Sequence, residues 1–193
     1  MVSIQAVAMR QFMRLTLKRK KMDTVEKIRS MVADFKTKPH SDVSIEKTIV
    51  NGLAAEWLTP PVANNKAVIL YLHGGGYISG SLDSHRGIAS HLAYTSRIPV
   101  LSLAYRLAPE HPFPAALNDA VDAYQWLLNT GHRPENIMIA GDSAGGGLTL
   151  ATLLKLRDNQ MPMPAGAMCI SPWTDLMGTG NSVKTQAQKD PWL

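Results

Sequence analysis

The chain has 193 residues, 45% of them hydrophobic, with one cysteine and a formal net charge of +5. This length and apolar content suit one substantial hydrophobic core. A single cysteine excludes a disulfide framework, no apolar run is long enough for a membrane-spanning helix, and the amino terminus lacks a secretory signal pattern, so we expect a cytoplasmic protein.

The positive charge is confined to the front of the chain. Residues 1–40 contain ten Lys or Arg against three acidic residues, whereas residues 41–193 contain ten against twelve. Apolar residues between Val7 and Phe35 recur loosely at helical spacing, which predicts two short amphipathic helices. A solvated basic face explains this segment better than contact with a membrane surface. We therefore expect no nucleic-acid partner and no stable membrane insertion.

The sequence from Ser44 to Leu72 predicts strands. A β-hairpin is predicted from Ser44–Val50 and Leu53–Leu58, because Asn51-Gly52 between the two runs is a strong two-residue turn signal. The apolar run Ala67–Leu72 then predicts a buried strand.

The middle of the chain alternates between helix and strand. A helix is predicted over Ser84–Ser96, capped by Asp83 or Ser84. A strand over Ile98–Ala104 follows, and after a proline-rich crossing a second helix is predicted over about Ala115–Asn129.

The alternation continues towards the carboxyl end. The pattern predicts a buried strand over Asn136–Ala140, a helix from Ser143 and a further strand around Gly166–Ile170. Continuous apolar strands separated by helices are typical of an α/β fold with a mostly parallel sheet covered on both faces.

The segment Gly141-Asp142-Ser143-Ala144-Gly145 fits the pattern G-x-S-x-G. In this pattern a sharp turn between a strand and a helix exposes a serine nucleophile. Helix capping is the alternative use for such a serine. The strand before Ser143 and the helix after it favour the nucleophile.

The segment His73-Gly74-Gly75-Gly76 also follows an apolar strand. Its backbone N–H groups could stabilise a developing oxyanion, or it could form a simple turn or a phosphate loop. A dinucleotide-binding loop is disfavoured because Ser79 occupies the position of its third glycine, and the sequence has no Gly-Lys-Ser/Thr for a nucleotide-binding P-loop.

Two further sequence blocks belong with these motifs. Tyr105–Ala116 lies between the two glycine motifs, and Ser171–Leu176 follows the second. With all four blocks, the chain resembles the hormone-sensitive-lipase-like branch of the α/β-hydrolases, also called α/β-hydrolase fold-3, which contains bacterial esterases and lactonases. The resemblance extends from about Ser44 to Leu193. It implies an α/β-hydrolase fold with an N-terminal helical cap over residues 1–40 and a partial catalytic domain over residues 41–193.

The resemblance also implies a chemistry. Ser143 would attack a small-molecule ester or lactone and form an acyl-enzyme, with the oxyanion bound by backbone N–H groups of Gly74, Gly75 and Ala144. His73 and Gly76 would support the oxyanion loop. No cofactor is implied, and the histidine spacings form no metal cluster.

Two members of the expected triad are absent. In α/β-hydrolases the acid and the histidine follow the serine along the chain, and no histidine follows Ser143. We therefore expect a C-terminally truncated esterase that lacks its last strands, and an isolated chain that is inactive. The alternative is a ligand-binding protein on the same fold that has lost its catalytic residues.

Overall fold

A computed structural model describes residues 7, 11, 24–34 and 36–186. The chain forms two compact units, one of residues 29–174 and the other of residues 1–28 with residues 175–193. Most of the predicted helical segment before residue 24 lies outside the described residues. The predicted boundary between a cap and a catalytic domain after residue 40 stays a prediction.

The described elements alternate between strands and helices as the sequence predicts. In chain order they are α1 (Val25–Asp34), β1 (Ser44–Val50), β2 (Leu53–Thr59), β3 (Val68–Leu72), α2 (Leu82–Ser96), β4 (Val100–Leu103), α3 (Ala115–Asn129), a short 3₁₀ helix (Pro134–Asn136), β5 (Ile137–Asp142), α4 (Ala144–Asp158), β6 (Gly166–Ile170) and α5 (Asn181–Thr185). Within residues 24–34 and 36–186, no helix is both long and apolar enough to cross a bilayer.

The six strands form one sheet in the order β1-β2-β4-β3-β5-β6. Strands β1 and β2 pair antiparallel, as do β2 and β4, while β4, β3, β5 and β6 run parallel. The prediction of a mostly parallel sheet is therefore confirmed. Because β3 and β5 are parallel neighbours, their carboxyl ends lie side by side at one edge of the sheet.

The sheet is covered on both faces, which confirms the predicted layering. All five residues of β3 are buried. Leu70 and Leu72 pack into a core with residues of α3 and α4, whereas Ile69 and Tyr71 pack on the opposite face with residues of α2. A strand buried on both sides needs a continuous apolar run, which is what the sequence pattern shows.

The hairpin turn confirms the local prediction. Asn51 and Gly52 have φ values of 49° and 84°, and Val50 pairs with Leu53. Two successive positive φ values match the twist of the flanking strands.

The predicted cap of the helix after β3 is wrong. The N-cap of α2 is Ser81, whose side chain accepts a hydrogen bond from the Ser84 backbone N–H, while the Ser84 side chain accepts one from the Ser81 N–H. This reciprocal capping box satisfies two helix-end donors at once, so the helix begins at Leu82.

We predict that Val100→Ala lowers the free energy of unfolding by about 2 kcal/mol. Val100 is fully buried in β4, and the substitution removes two methyl groups at about 0.8 kcal/mol each and leaves a small cavity. Chemical denaturation measures the change. The same substitution at Val62, which is 68% exposed, is the control and should cost less than about 0.5 kcal/mol. Equal effects at both positions would contradict the described core.

Candidate active site

Ser143 lies between the end of β5 and the start of α4, at the sheet edge described above. Its φ of 52° and ψ of −119° fall in a region that non-glycine residues rarely adopt. The residue is exposed, and its side chain makes no capping hydrogen bond to α4. Helix capping therefore does not explain this serine.

Three backbone hydrogen bonds hold the turn around Ser143. Its N–H donates to the Ile170 carbonyl at 2.9 Å, and its carbonyl accepts from Gly147 N at 3.1 Å and Trp173 N at 2.8 Å. Within the block that begins at Ser171, Trp173 is thus bonded directly to the turn. A strained conformation persists only where its surroundings determine it in this way.

The helix after Ser143 approaches the end of β3 closely, and Gly145 permits this. A Cβ atom at Gly145 would overlap the Leu72 carbonyl oxygen and lie 2.5 Å from the His73 carbonyl oxygen. The absence of a side chain brings Ser143 beside the loop that follows β3.

The glycine loop after β3 differs from the prediction in one respect. The Gly74 N–H donates to the Asp142 carboxylate, at 3.0 Å from Oδ1. This bond occupies the donor that the prediction assigned to the oxyanion. Among the described residues, the N–H groups of Gly75 and Gly76 have no backbone acceptor.

The remainder of the loop is folded on itself. The Gly75 carbonyl accepts hydrogen bonds from Ile78 N, Ser79 N and Ser79 Oγ. Gly75 has a φ of 122°, and a Cβ atom there would overlap the Ser79 backbone. A residue with a side chain would therefore disrupt this turn.

His73 is 1% exposed and lies behind the loop. Its Nδ1 is 2.8 Å from the Gly74 carbonyl oxygen, and its ring stacks on Tyr105 with 4.3 Å between ring centroids. The Tyr105 hydroxyl donates to the His73 carbonyl at 2.6 Å. Burial lowers the pKa of His73 to about 4, so the ring is neutral at physiological pH.

Asp142 connects several parts of the site. Besides Gly74, its Oδ1 accepts from the Tyr71 hydroxyl at 2.6 Å, and its Oδ2 lies 3.5 Å from His85 Nε2. Burial raises the pKa of Asp142, but hydrogen bonds from His85 and Tyr71 outweigh this and lower it, so the carboxylate is ionised. Sequence reasoning did not assign His85 to the site, because nothing in its spacing from Asp142 indicates their contact.

No metal site is visible in the described part of the chain. Within residues 24–34 and 36–186, no three His, Cys, Asp or Glu side chains are grouped to hold a metal ion.

We predict that His73 makes the protein less stable as the pH falls from about 6.5 to about 4. Its pKa is about 4 in the fold, against 6.5 for an ordinary histidine, so between these values the unfolded chain binds a proton that the folded chain excludes. The free energy of unfolding then falls with decreasing pH, by up to about 1.4 kcal/mol per pH unit from this group.

The measurement is chemical denaturation at several pH values for the wild type and for His73→Gln. The variant should show a smaller slope of unfolding free energy against pH in this window, whatever its absolute stability. His132→Gln is the control. Burial also lowers the pKa of His132, but this residue is only partly buried whereas His73 is 1% exposed, so His132→Gln should change the slope less than His73→Gln does. An unchanged slope in His73→Gln would contradict the prediction.

Comparison with known proteins shows which family has this fold and sequence. The sequence pattern of the α/β hydrolase fold family matches residues 69–193. An acetyl-hydrolase of Streptomyces hygroscopicus is 48% identical over 141 residues, which cover 73% of this chain and 47% of that protein. An ethyl acetate hydrolase of Pseudomonas putida is 38% identical over 145 residues, which cover 70% of this chain and 45% of that protein.

Two solved structures that resemble this chain are also esterases. An esterase/lipase from an uncultured bacterium is 43% identical with a TM-score of 0.92, covering 98% of this chain and 65% of the other. An esterase from the bacterial hormone-sensitive lipase family is 41% identical with a TM-score of 0.89, covering 99% and 65%. The chain spans about half the length of the acetyl-hydrolase and of the ethyl acetate hydrolase. It belongs to the α/β-hydrolase fold family, in its hormone-sensitive-lipase-like branch.

Proposed function

We propose that this chain carries the nucleophile and oxyanion donors of a carboxylic ester or lactone hydrolase. The observation that carries the proposal is Ser143, an exposed serine held in a strained turn beside the glycine loop. The relatives named acetyl-hydrolase and ethyl acetate hydrolase support a small ester with a short acyl group as substrate.

The proposed reaction proceeds through an acyl-enzyme. Ser143 Oγ attacks the carbonyl carbon and loses its proton to a base, and the carbonyl oxygen becomes an oxyanion. Collapse of this intermediate expels the alcohol, which takes up the proton. Water then hydrolyses the acyl-serine by the same two steps and restores Ser143.

Three backbone N–H groups are the proposed oxyanion donors. Ala144 begins α4, where the first N–H groups have no partner within the helix and the helix dipole is positive. Gly75 and Gly76 lie in the facing loop, and neither gives its N–H to a backbone acceptor among the described residues. Gly74 is proposed to brace the loop instead, through its bond to Asp142.

His73 is proposed as a support of this loop and not as the base. Its ring is buried against Tyr105, and Nδ1 is engaged with the Gly74 carbonyl. No histidine follows Ser143 in the 193 residues, and the family order places the base there. We therefore propose that these residues alone lack the base and have little activity.

We predict that a serine-directed phosphonate labels Ser143 in the protein expressed from its complete reading frame, and that Ser143→Ala abolishes hydrolysis of a short-chain nitrophenyl ester. Loss of the nucleophile in a related mechanism costs on the order of 10⁶ in turnover. Mass spectrometry locates the adduct, which should lie on Ser143. Ser44→Ala, which removes an exposed hydroxyl on β1, is the control and should retain full activity.

The same assay on the 193 residues alone tests the proposed lack of a base. Turnover should match that of Ser143→Ala, because an unassisted serine hydroxyl is a weak nucleophile at neutral pH. Robust Ser143-dependent turnover would contradict this and would point to a base among the histidines that precede Ser143, first the buried His73 or the exposed His111. A complete protein that binds an ester without turnover or labelling would instead support the ligand-binding alternative.

A further inference from the structure

A layer of polar side chains lies behind the glycine loop and joins it to helix α2. The Asp142 carboxylate binds Tyr71 and Gly74 through Oδ1, and its Oδ2 faces His85 Nε2 at 3.5 Å. The His85 and Asp142 side chains are only 11% and 17% exposed. The neighbouring His73 ring lies 5.3 Å from that of His85.

A favourable contact between His85 and Asp142 requires a particular position for one proton of the imidazole. A carboxylate can only accept hydrogen bonds, so a favourable contact with Asp142 requires a proton on His85 Nε2. The other ring nitrogen, Nδ1, is 2.9 Å from Ser84 Oγ. The imidazole thus contacts Ser84 Oγ through Nδ1 and faces the carboxylate with Nε2, 3.5 Å from Oδ2.

The position of the ring is set by a rigid element. Ser84 is 5% exposed and forms the capping box with Ser81 at the start of α2. His85 is the next residue of the same helical turn. The start of α2 therefore orients the imidazole before any substrate binds.

Asp142 transmits this position to the glycine loop. A Cβ atom at Gly74 would overlap the Asp142 carboxylate, which shows how closely the two residues pack. Because the Gly74 N–H is bonded to Oδ1 of the same carboxylate, a rotation of the carboxylate would displace the start of the loop that contains Gly75 and Gly76. Oxyanion donors act only within about 2.7–3.1 Å of the developing charge, so a small displacement matters.

We propose that His85 is a positioning residue: its Nε2–H holds the Asp142 carboxylate and, through Gly74, sets the aim of the oxyanion donors. His85 contacts no reacting atom in this scheme. The inference rests on the function proposed above and adds a residue to it.

The test compares His85→Leu with His85→Gln in the protein expressed from its complete reading frame. Leu removes the donor, whereas the Gln side-chain amide places an N–H near the position of Nε2. We expect kcat for a short-chain nitrophenyl ester to fall about 10- to 100-fold in His85→Leu with KM changed less than about twofold, since misplacement by about 1 Å costs up to about 10². His85→Gln should recover most of the loss.

The control is His91→Leu on the same helix. Nδ1 of His91 lies 2.8 Å from the Gly87 carbonyl oxygen, and its ring meets that of His40 edge-on. The described contacts of Asp142 are with Tyr71, Gly74 and His85, and do not include His91. This variant should keep the wild-type kcat.

A second readout is independent of turnover. In ¹⁵N-labelled protein, the Gly74 amide signal should move and its hydrogen exchange should accelerate in His85→Leu, while His85→Gln and His91→Leu leave both near wild type. If the wild type hydrolyses no ester, the proposed function fails, but the Gly74 signal still tests the positioning. Wild-type kcat in His85→Leu, or equal loss in both His85 variants with an unmoved Gly74 signal, would overturn the inference.

Discussion

The strained backbone of Ser143 is the constraint around which the site is arranged. A positive φ with a ψ of −119° is unfavourable for a serine, at a cost on the order of 1–3 kcal/mol. Backbone hydrogen bonds to Ile170, Gly147 and Trp173 hold the turn in this conformation. In this conformation Ser143 is exposed at the sheet edge where the glycine loop begins.

Close backbone packing is the second requirement, and it depends on the absence of side chains. Gly145 lies against the carbonyl groups of Leu72 and His73, and Gly74 against the Asp142 carboxylate. The first contact joins the start of α4 to the end of β3, and the second joins the loop after β3 to the end of β5. The parallel pairing of these strands brings the two motifs to one edge, and the glycines let them approach within van der Waals distance.

Predictions that rest on local signals agree best with the structure. The hairpin at Asn51-Gly52 is confirmed because two positive φ values are a property of those two residues. The helix over Ala115–Asn129 is confirmed at both ends. The start of α2 was misplaced because several consecutive polar residues could cap it, and the reciprocal bonds of Ser81 and Ser84 decide between them.

The sequence by itself determined the α/β alternation, the nucleophile motif around Ser143 and the glycine loop, since each is encoded in a short run of residues. Only the tertiary structure decided which loop N–H is already occupied. The bond from Gly74 to Asp142 joins residues 68 positions apart, and the contact between His85 and Asp142 joins different elements. Such contacts arise from the pairing of β3 with β5 and the packing of α2, and no local sequence pattern records them.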